Sequence, residues 1–393
     1  MTGAALTGAE EGREPGVALT LPVAFAVSND GPLTGRAYAE PPHSYRSAFQ
    51  RDRARIIHSR AFRRLAGKTQ VFTDRYSDHF RSRLTHTMEV AQIARTIAGA
   101  MGLNEDLAEA LALVHDIGHP PFGHAGESAL NEALAAHGLS FDHNLHALRI
   151  VEYFEHRYAA FRGLNLTLGV REGIVKHSRD YSLAAHPELS EYFLDLRPPL
   201  EAQLIDLADE IAYTTADFDD GLESGIQQLS HVRAHVPLLE RFYSAMEQAH
   251  SSAPPKLIFN EALKRMLNAM ASDLILETRR RIGVSGAVDL EGVREAPNRM
   301  AAFSAEMEAM RLQAKRYLHD HLYNSEELSR DHDQATKVVR DLFGAWVADP
   351  ALLPAGLEPA IESEGIARIV ADYIAGMTDN FILAQHRVWI ESQ

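Results

Sequence analysis

A histidine and an aspartate stand side by side in the segment NEDLAEALALVHDIGHPPFGHAGE, residues 104–127. Leu107 and Leu111 recur at helical spacing, so His115 is predicted on or beside the buried face of a helix. Buried imidazoles and carboxylates cost free energy unless they are paired or bound to a metal. A lone buried histidine is usually a satisfied core residue. An adjacent His115-Asp116 pair followed by two more histidines and a glutamate is hard to explain by packing alone.

Two other helices carry residues that can complete a metal site. His86 lies one turn before Val90 on a helix with an apolar stripe, so it faces the same core. One side of a later helix rich in leucine and isoleucine carries Asp206, Asp209, Tyr213 and Asp217. A carboxylate from that side can close a site with the histidines. Two imidazoles and two carboxylates suit Mn²⁺, Fe²⁺, Zn²⁺, Ni²⁺ or Mg²⁺, and ligand type alone does not choose among them.

The composition excludes several kinds of chemistry. The 393 residues include no cysteine, which rules out disulfides, Cys-ligated zinc, iron–sulfur clusters and a cysteine nucleophile. A formal net charge of −15 argues against broad non-specific binding of nucleic acid. No run of about 18 apolar residues predicts a transmembrane helix. Acidic residues precede the apolar run 17–27, where a signal peptide would be basic, so we expect a cytoplasmic protein.

Basic residues are concentrated in one segment. Residues 51–83 hold ten Lys or Arg and three Asp, a local charge of +7 that leaves −22 for the rest of the chain. One interpretation is a solvated helix face. The other is an anion site, because guanidinium groups bind phosphate oxygens in a bidentate way. Such a site would suit a small polyphosphate or a nucleic-acid strand.

The elements that must position these residues are almost all helices. From Ser44 onward the apolar residues follow the helical period, and Pro and Gly breakers separate the segments. Helices are predicted at 44–66, 82–101, 105–116, 124–137, 144–157, 168–178, 199–218, 236–250, 256–282, 299–323, 331–348 and 364–388. At most a short hairpin is expected near 68–80, and 283–297 is predicted to be a flexible insertion. The predicted fold class is all-α with a C-terminal helical lobe.

Five blocks of the sequence resemble one enzyme family. The order of His86, His115-Asp116 and Asp209 resembles the H…HD…D signature of the HD superfamily of metal-dependent phosphohydrolases. The longer blocks resemble the bacterial deoxynucleoside triphosphate triphosphohydrolases, the dGTPase family, between about residues 44 and 390. They are RRLAGKTQVF (63–72), SRLTHTMEV (82–90), HDIGHPPFGHAGE (115–127), DEIAYTTADFDD (209–220) and DYIAGMTDNF (372–381).

This resemblance implies a reaction and a domain plan. The reaction is dNTP plus water giving deoxynucleoside plus inorganic triphosphate, in which water attacks the α-phosphorus and the 5′-oxygen leaves. The implied plan has three parts: a flexible N-terminal segment (1–40), an HD phosphohydrolase core (41–225) and a C-terminal helical region packed on that core (226–393).

The resemblance also implies one divalent metal ion per subunit. The family's metal ligands correspond to His86, His115, Asp116 and Asp209. Mn²⁺ or Mg²⁺ is expected, and Fe²⁺, Ni²⁺ and Zn²⁺ also suit the donors. Some dinuclear HD phosphodiesterases use additional histidines for a second metal, so His119 and His143 have that alternative role. We expect one metal because the most similar family is mononuclear.

Further site residues follow from the same resemblance. Proton transfer at the α-phosphate is assigned to His124, Glu127 and His143. Substrate contacts are expected from Arg83 and Lys176 as triphosphate clamps, His119 beside the α-phosphate, Gln70 at the sugar and base, Tyr213 against the deoxyribose and Asp217 on the 3′-OH. One departure is Glu210, which stands where some distant relatives have a cationic residue.

Two other function classes stay open at this point. One is an HD phosphodiesterase or nucleotidase that acts on another nucleotide, and the sugar-directed Tyr213 and Asp217 argue against it. The other is a regulatory protein that binds nucleotides or single strands, which the basic segment supports and the complete catalytic set opposes. The expected partners are the dNTP substrate and further copies of the chain, as a tetramer or hexamer. No membrane is expected, and single-stranded nucleic acid is not expected as the main ligand.

Overall fold

The computed structural model describes residues 20–72 and 79–391, and over these ranges the chain is all-α, as predicted. The α-helices are α1 (Ala48–Ile57), α2 (Arg60–Arg64), α3 (Arg83–Met101), α4 (Glu105–Val114), α5 (Gly123–Ala135), α6 (His143–Arg149), α7 (Leu168–Lys176), α8 (Leu200–Glu223), α9 (Leu229–His235), α10 (Pro237–Ala249), α11 (Pro255–Ser285), α12 (Leu290–Arg294), α13 (Ala305–Leu318), α14 (Glu326–Ala348), α15 (Glu358–Glu364), α16 (Ile366–Ala375) and α17 (Asp379–Glu391). Among the described helices, none combines the length and the apolar character needed to cross a bilayer.

Local signals explain where the site-bearing helices begin and end. The Ser82 side chain caps α3, and the helix ends at Gly102, whose φ of 75° is left-handed. Asn104 caps α4 by accepting a hydrogen bond from the backbone N–H of Leu107 at 3.1 Å. The first helix predicted from the sequence, 44–66, is divided into α1 and α2 because the Ser59 side chain starts a new helix.

The central packing joins the three helices that carry the candidate metal ligands. α3 packs against both α4 and α8. Val90, Ile97 and Met101 of α3 are fully buried there, as are Leu107 of α4 and Ile205 of α8. The predicted apolar stripes therefore lie in one core, and residues adjoining those stripes are held at its edge.

The C-terminal helices build a second hydrophobic cluster with α5. Leu130 and Leu134 of α5 pack with Val339, Leu342 and other buried residues of α14, α16 and α17. The helix that follows the His-Asp turn thus lies against the last third of the chain. The division at residue 225 stays a prediction.

The N-terminal segment differs from the expected flexible tail over its described part. From residue 20 onward it is docked on the core, with Phe25 and Val27 buried. The backbone N–H of Val27 donates to the buried carboxylate of Glu201 at 2.9 Å, and that of Asn104 donates to the same oxygen at 3.0 Å. The apolar side chains of this part cover a surface of the core, and the flexibility predicted for 1–40 as a whole stays a prediction. Residues 1–19 lie outside the described ranges.

Two other local predictions need correction or limitation. The segment 283–297 was expected to be a flexible insertion, but α12 forms within it and buries Arg294 against Glu172, with Nη2 to Oε1 at 2.9 Å. A charged pair with so little solvent around it fixes the segment to α7. The predicted hairpin near 68–80 is represented by one antiparallel bridge between Thr69 and Ser82. Residues 73–78 of that hairpin lie outside the described part of the chain.

The turn after the His-Asp pair is packed too tightly for a side chain. A Cβ at Gly118 would lie 1.9 Å from the carbonyl oxygen of His143 and 2.6 Å from the backbone nitrogen of Ala147. Backbone atoms cannot yield as a flexible side chain can. Glycine at this position therefore lets the turn after α4 lie directly against α6.

We predict that Gly118→Ala destabilises the protein by about 1–3 kcal/mol, the usual range for overpacking. Gly344→Ala is the matched control, because a Cβ there meets nothing within 4 Å on α14. The control should be neutral or more stable, by up to about 1 kcal/mol from helix propensity. Chemical denaturation of both variants measures the difference. Equal stability of the two variants would contradict the close approach of α6.

Candidate active site

The four residues predicted to bind metal converge from three helices. The His86 ring of α3 donates from Nε2 to Oδ1 of Asp209 on α8 at 2.7 Å. His115, at the end of α4, has its Nε2 3.5 Å from Oδ1 of Asp116 and 4.0 Å from Oδ1 of Asp209. His86, His115 and Asp116 are each at most 5% exposed, whereas the Asp209 side chain keeps 29% of its surface accessible. The cluster is thus buried on one side and open at Asp209.

The hydrogen bonding of His115 leaves a lone pair directed at two carboxylates. Its Nδ1 donates to the carbonyl oxygen of Ala112 at 2.7 Å, and a carbonyl oxygen can only accept. In the neutral ring Nε2 is therefore an acceptor, and it is buried without a hydrogen-bond partner among the described residues. Two carboxylate oxygens face it. Such a group of acceptors is unfavourable unless a cation lies among them.

The donor set fits a divalent ion. His86 and His115 offer imidazole nitrogens, and Asp116 and Asp209 offer carboxylate oxygens, a mixture that suits Mn²⁺, Fe²⁺ or Zn²⁺ and includes the oxygens that Mg²⁺ prefers. His86, His115 and Asp116 have donor atoms that all lie within 4.8 Å of one another. The fit rests on this geometry and on the unpartnered nitrogen of His115.

Asp116 is also the partner of the predicted clamp Arg83. The Arg83 Nη1 donates to Asp116 Oδ2 at 2.6 Å, and the arginine is only 2% exposed. Burial by itself would raise the pKa of Asp116, but Arg83, His115 and His119 hold it well below its usual range. Asp116 is therefore ionised and fixed in orientation. One guanidinium edge of Arg83 is committed to it.

A second group of polar residues lies beside the first. Glu127 of α5 accepts from Nδ1 of His143 at 2.9 Å and from the backbone N–H of His143 at 3.2 Å. The His119 ring stacks on that of His143 with centroids 4.0 Å apart. His119 connects the two groups, since its Nε2 is 3.2 Å from Asp116 Oδ1 and its Nδ1 is 3.5 Å from Glu127 Oε2.

The protonation states of this second group follow from its surroundings. Burial would raise the pKa of Glu127, but the nearby ring of His124 and the hydrogen bonds from His143 outweigh it and hold the pKa far below the usual value. Burial, reinforced by Arg83 and His143, holds the pKa of His119 well below its usual value. The group thus contains an ionised carboxylate beside a neutral imidazole. His119, Glu127 and His143 also have donor atoms close enough together to hold a metal ion, as the dinuclear alternative requires.

The sequence pairs His124 with Glu127, and the structure adds a closer partner. His124 Nδ1 lies 3.9 Å from Glu127 Oε2, and 85% of the His124 side chain is exposed. His143 holds Glu127 by two hydrogen bonds instead. His124 therefore lies at the solvent side of the group, where it can reach an incoming ligand.

Tyr213 and Asp217, the residues predicted to contact the sugar, lie further along α8 and are connected to the C-terminal helices. The buried carboxylate of Asp217 accepts a hydrogen bond from the hydroxyl of Tyr323, and burial raises the pKa of Asp217 to about 7. The Tyr213 hydroxyl donates to Glu210 Oε2 at 2.6 Å. Tyr323 belongs to a π-helical turn, 319–323, that follows α13. Sequence reasoning missed Tyr323 because nothing in its helix pattern indicates a partner on α8.

The acidic departure at Glu210 is compensated by cations from α13. Arg311 Nη1 and Lys315 Nζ both donate to Glu210, the latter at 2.6 Å. The Lys315 ammonium also lies 5.5 Å from the centre of the Tyr213 ring. Arg311 and Lys315 thus place two cations beside Glu210, the position at which some distant relatives have a cationic residue of their own. Their i, i+4 spacing on a predicted helix was the only signal that could have indicated them.

The structure does not support Lys176 as a phosphate clamp. Its ammonium group donates to Glu172 Oε1 at 2.7 Å and to the carbonyl oxygens of Phe193 at 2.8 Å and Tyr192 at 3.3 Å. All three protons are engaged, and the side chain is 3% exposed. The prediction for Lys176 is corrected on this ground: no proton is left for a phosphate oxygen.

Gln70 lies close to the turn that precedes α5. A Cβ at Gly123 would meet Arg83 Nη2 at 2.9 Å and the carbonyl oxygen of Gln70 at 3.7 Å. The Gln70 Oε1 is buried and accepts no hydrogen bond from the residues the structure describes. Gln70 is therefore beside Arg83, with an acceptor available for a ligand.

The basic segment 51–83 does not form one anion-binding face. Arg53 and Arg55 pair with Glu109 and Glu40 at 2.7 Å, and Arg81 pairs with Asp220. Within its described part, only Arg83 is seen at the metal cluster. Five of the nine described cations pair with acids, which favours the interpretation as a structural surface over a nucleic-acid site.

Comparison with known proteins identifies the family. An HD domain matches residues 83–214, and a phosphohydrolase-associated domain matches residues 301–388. A deoxyguanosinetriphosphate triphosphohydrolase-like protein of Thiobacillus denitrificans is 46% identical over 90% of this chain and 93% of its own length. The chain belongs to the deoxyguanosinetriphosphate triphosphohydrolase-like family. Proteins of the same name from Azoarcus sp. and Ralstonia pickettii are 46% and 44% identical, covering 92% and 93% of this chain and 95% and 94% of theirs.

Each of the two matched domains contributes a different group of residues to the candidate site. The HD domain spans the metal cluster and the group around Glu127, and the phosphohydrolase-associated domain spans Arg311, Lys315 and Tyr323. In this chain, residues from both matched regions therefore contact one another beside the metal cluster, through Tyr323 with Asp217 and through Arg311 and Lys315 with Glu210.

We predict that Asp209→Asn abolishes metal binding while Asp206→Asn, one turn earlier on α8, keeps it. Asp209 is the residue whose oxygen contacts His86 and faces His115, so its loss removes the ligand that closes the cluster. Metal content by elemental analysis measures the result. A chelator should lower the melting temperature of the wild type and of Asp206→Asn but not of Asp209→Asn, because a bound ion stabilises only the folded state that holds it. If Asp206→Asn lost the metal and Asp209→Asn kept it, the fourth ligand would be Asp206 and not Asp209.

Proposed function

We propose that this protein hydrolyses deoxynucleoside triphosphates to deoxynucleosides and inorganic triphosphate. The observation that carries the proposal is the buried Nε2 of His115, which faces the carboxylates of Asp116 and Asp209 without a partner. This is an arrangement for a cation, and it lies beside proton-transfer groups and sugar-directed residues. Family membership supports the same reaction, since the relatives are named as deoxyguanosinetriphosphate triphosphohydrolase-like.

One divalent ion per subunit, Mn²⁺ or Mg²⁺, is proposed at His86, His115, Asp116 and Asp209. When bound, such an ion polarises a phosphoryl oxygen and lowers the pKa of a bound water. Arg83 keeps Asp116 ionised and oriented, and its second nitrogen, Nη2, lies toward Gly123 and is proposed to meet a phosphate oxygen. Lys315, with half of its side chain exposed beside Tyr213, is a second cation for the triphosphate.

The group around Glu127 supplies the proton transfers. Departure of the 5′-oxygen as an alkoxide is unfavourable, so the reaction needs a general acid within hydrogen-bond reach. His124 is exposed at the solvent side and has the Glu127 carboxylate behind it. Glu127 itself is fixed by His143. We assign His124 as the group that gives the proton, and Glu127 and His143 as the pair that keeps it oriented and stabilises its charged form.

The sugar is proposed to lie along α8. Asp209, Tyr213 and Asp217 advance along one helix face by one turn each. With the α-phosphate at Asp209, the deoxyribose comes against Tyr213, and its 3′-OH reaches Asp217. Asp217 is buried and already bound by Tyr323, so it presents its remaining acceptor in a fixed direction.

A tetrameric or hexameric assembly and a cytoplasmic location are part of the same proposal. Single strands are not proposed as the main ligand, because the chain is acidic overall and five of the nine described cations of the basic segment pair with acids.

We predict that a dNTP is hydrolysed at least about tenfold better than the matching NTP. A 2′-hydroxyl packed against Tyr213 would be buried without a partner, which costs about 1–3 kcal/mol. Removal of the 3′-OH should cost a similar amount by leaving the second oxygen of Asp217 without a partner, since Tyr323 binds only the first. The measurement is kcat/KM for a dNTP, its ribo form and its 2′,3′-dideoxy form, on the wild type and on Asp217→Asn. The variant should lose the preference for the 3′-OH. Equal use of dNTP and NTP would favour a general HD nucleotidase.

We predict that His124→Ala lowers kcat by about 10²–10⁴-fold while metal content stays unchanged, the usual range for a positioned proton donor. Glu127→Gln should lower kcat by a comparable factor. Since the two act as one unit, the double variant should be scarcely worse than His124→Ala alone. Single-turnover kinetics with bound substrate isolate this step. Unchanged kcat with a raised KM in His124→Ala would make His124 a binding residue only.

A further inference from the structure

We propose that Asp379, the first residue of α17, is a positioning residue for the active site. Its carboxylate holds together two segments that are far apart in sequence, the one that carries Gln70 and the turn that leads into His124 and Glu127. The effect on catalysis rests on the proposed function, whereas the effect on the two segments does not.

Three hydrogen-bond donors converge on the Asp379 carboxylate. Oδ2 accepts from the backbone N–H of Thr69 at 2.8 Å and from the Thr69 hydroxyl at 2.5 Å. Oδ1 accepts from the backbone N–H of Phe122 at 2.9 Å. Thr69 directly precedes Gln70, and Phe122 precedes His124 by two residues. One side chain of the C-terminal helices thus contacts both segments at the backbone.

The turn held at Phe122 is one that the chain does not favour by itself. Phe122 has a φ of 63° and Gly123 a φ of 56°, so two successive residues are left-handed. A non-glycine residue in that region costs roughly 1–2 kcal/mol. The Phe122 side chain gives α5 no capping hydrogen bond. The bond from the Phe122 N–H to Asp379 therefore supports the turn that sets the direction of α5, and with it the direction of Glu127.

Lys68 adds a second connection at the same place. Its ammonium group donates to the carbonyl oxygen of His119 at 2.5 Å and to that of Ala375, the last residue of α16, at 2.9 Å. The Lys68 carbonyl oxygen accepts from the Arg83 N–H at 3.1 Å. The segment between α16 and α17 is thus joined to the backbone of His119 and, through Lys68, to Arg83.

The carboxylate is required because every group facing it is a donor. A carboxylate accepts all three hydrogen bonds, whereas a carboxamide has one oxygen and an NH₂ group that donates. In Asp379→Asn the NH₂ group must face either Thr69 or the Phe122 N–H. The substitution keeps the size of the side chain but removes the acceptor of one of the two backbone N–H groups, because a backbone N–H cannot accept from NH₂ as the Thr69 hydroxyl can.

The test compares Asp379→Asn with Asp372→Asn. Asp372 on α16 also joins the C-terminal helices to the rest of the protein, through His146 at 3.2 Å and Arg149 at 2.7 Å, but it contacts no proposed site residue. Asp372→Asn therefore reports the cost of loosening this contact between helices alone. We expect similar losses of melting temperature and unchanged metal content in both variants.

The first readout is independent of activity. In Asp379→Asn, hydrogen exchange should become faster at the amide of Thr69, of Phe122 or of both, and in Asp372→Asn it should stay at both amides as in the wild type. The second readout is kcat on a dNTP. It should fall by roughly tenfold or more in Asp379→Asn, because small misplacements of reacting groups cost up to about 10²-fold, and change less than about threefold in Asp372→Asn. With Glu127→Gln already present, Asp379→Asn should lower kcat by a smaller factor than it does in the wild type.

The outcomes separate this proposal from the proposed function. Unchanged exchange at both amides in Asp379→Asn would overturn the positioning role, and so would equal falls of kcat in the two variants. If the exchange responds as expected but the wild type hydrolyses no dNTP, the proposed function fails while the connection made by Asp379 stands.

Discussion

The buried carboxylate of Asp116 is the constraint on which the rest of the site depends. Arg83 donates to one of its oxygens at 2.6 Å, and the other oxygen faces His119 at 3.2 Å and His115 at 3.5 Å. An ionised carboxylate with so little solvent around it is stable only if its partners are held in place. Their positions fix α3 against α4 and fix the turn after α4 against α6. The same carboxylate leaves the His115 nitrogen unpartnered, which makes the cluster a site for a cation rather than a closed ion pair.

The C-terminal helices pack against the HD domain and also contribute side chains that hold residues of the proposed active site. Tyr323 holds Asp217, and Arg311 and Lys315 hold Glu210, so the face of α8 that is proposed to contact the sugar is bordered by the phosphohydrolase-associated domain. Asp379 ties the backbone of Thr69 to that of Phe122 from the opposite side. The phosphohydrolase-associated domain thus contributes contacts to both ends of the proposed substrate position.

The sequence predicted the helices and the residues near their buried faces, because helical periodicity reports which side of a helix is buried. His86 and His115 were placed in this way, and the all-α fold was confirmed. Periodicity does not report which residue lies opposite, so Tyr323 and Asp379 were missed. The family resemblance assigned Lys176 to phosphate, and it does not report that Glu172 and two carbonyl oxygens engage this side chain. Arg294 was missed for a similar reason, since its segment has too few apolar residues to indicate that it docks. The pairing of Glu127 with His143 depends on the turn at Gly118 and Phe122, whose geometry no local pattern encodes.

The central claim is that the site directs water to the α-phosphorus of a dNTP. The most direct test is to find which product contains oxygen from the water. The wild-type protein is given dGTP with Mn²⁺ or Mg²⁺ in water enriched in ¹⁸O, and the products are separated and weighed by mass spectrometry. The account predicts deoxyguanosine without label and inorganic triphosphate carrying one ¹⁸O atom. Label in the 5′-hydroxyl of deoxyguanosine would place the attack on carbon. Formation of dGMP with pyrophosphate, or of dGDP with phosphate, would show that a different bond is broken and would contradict the account.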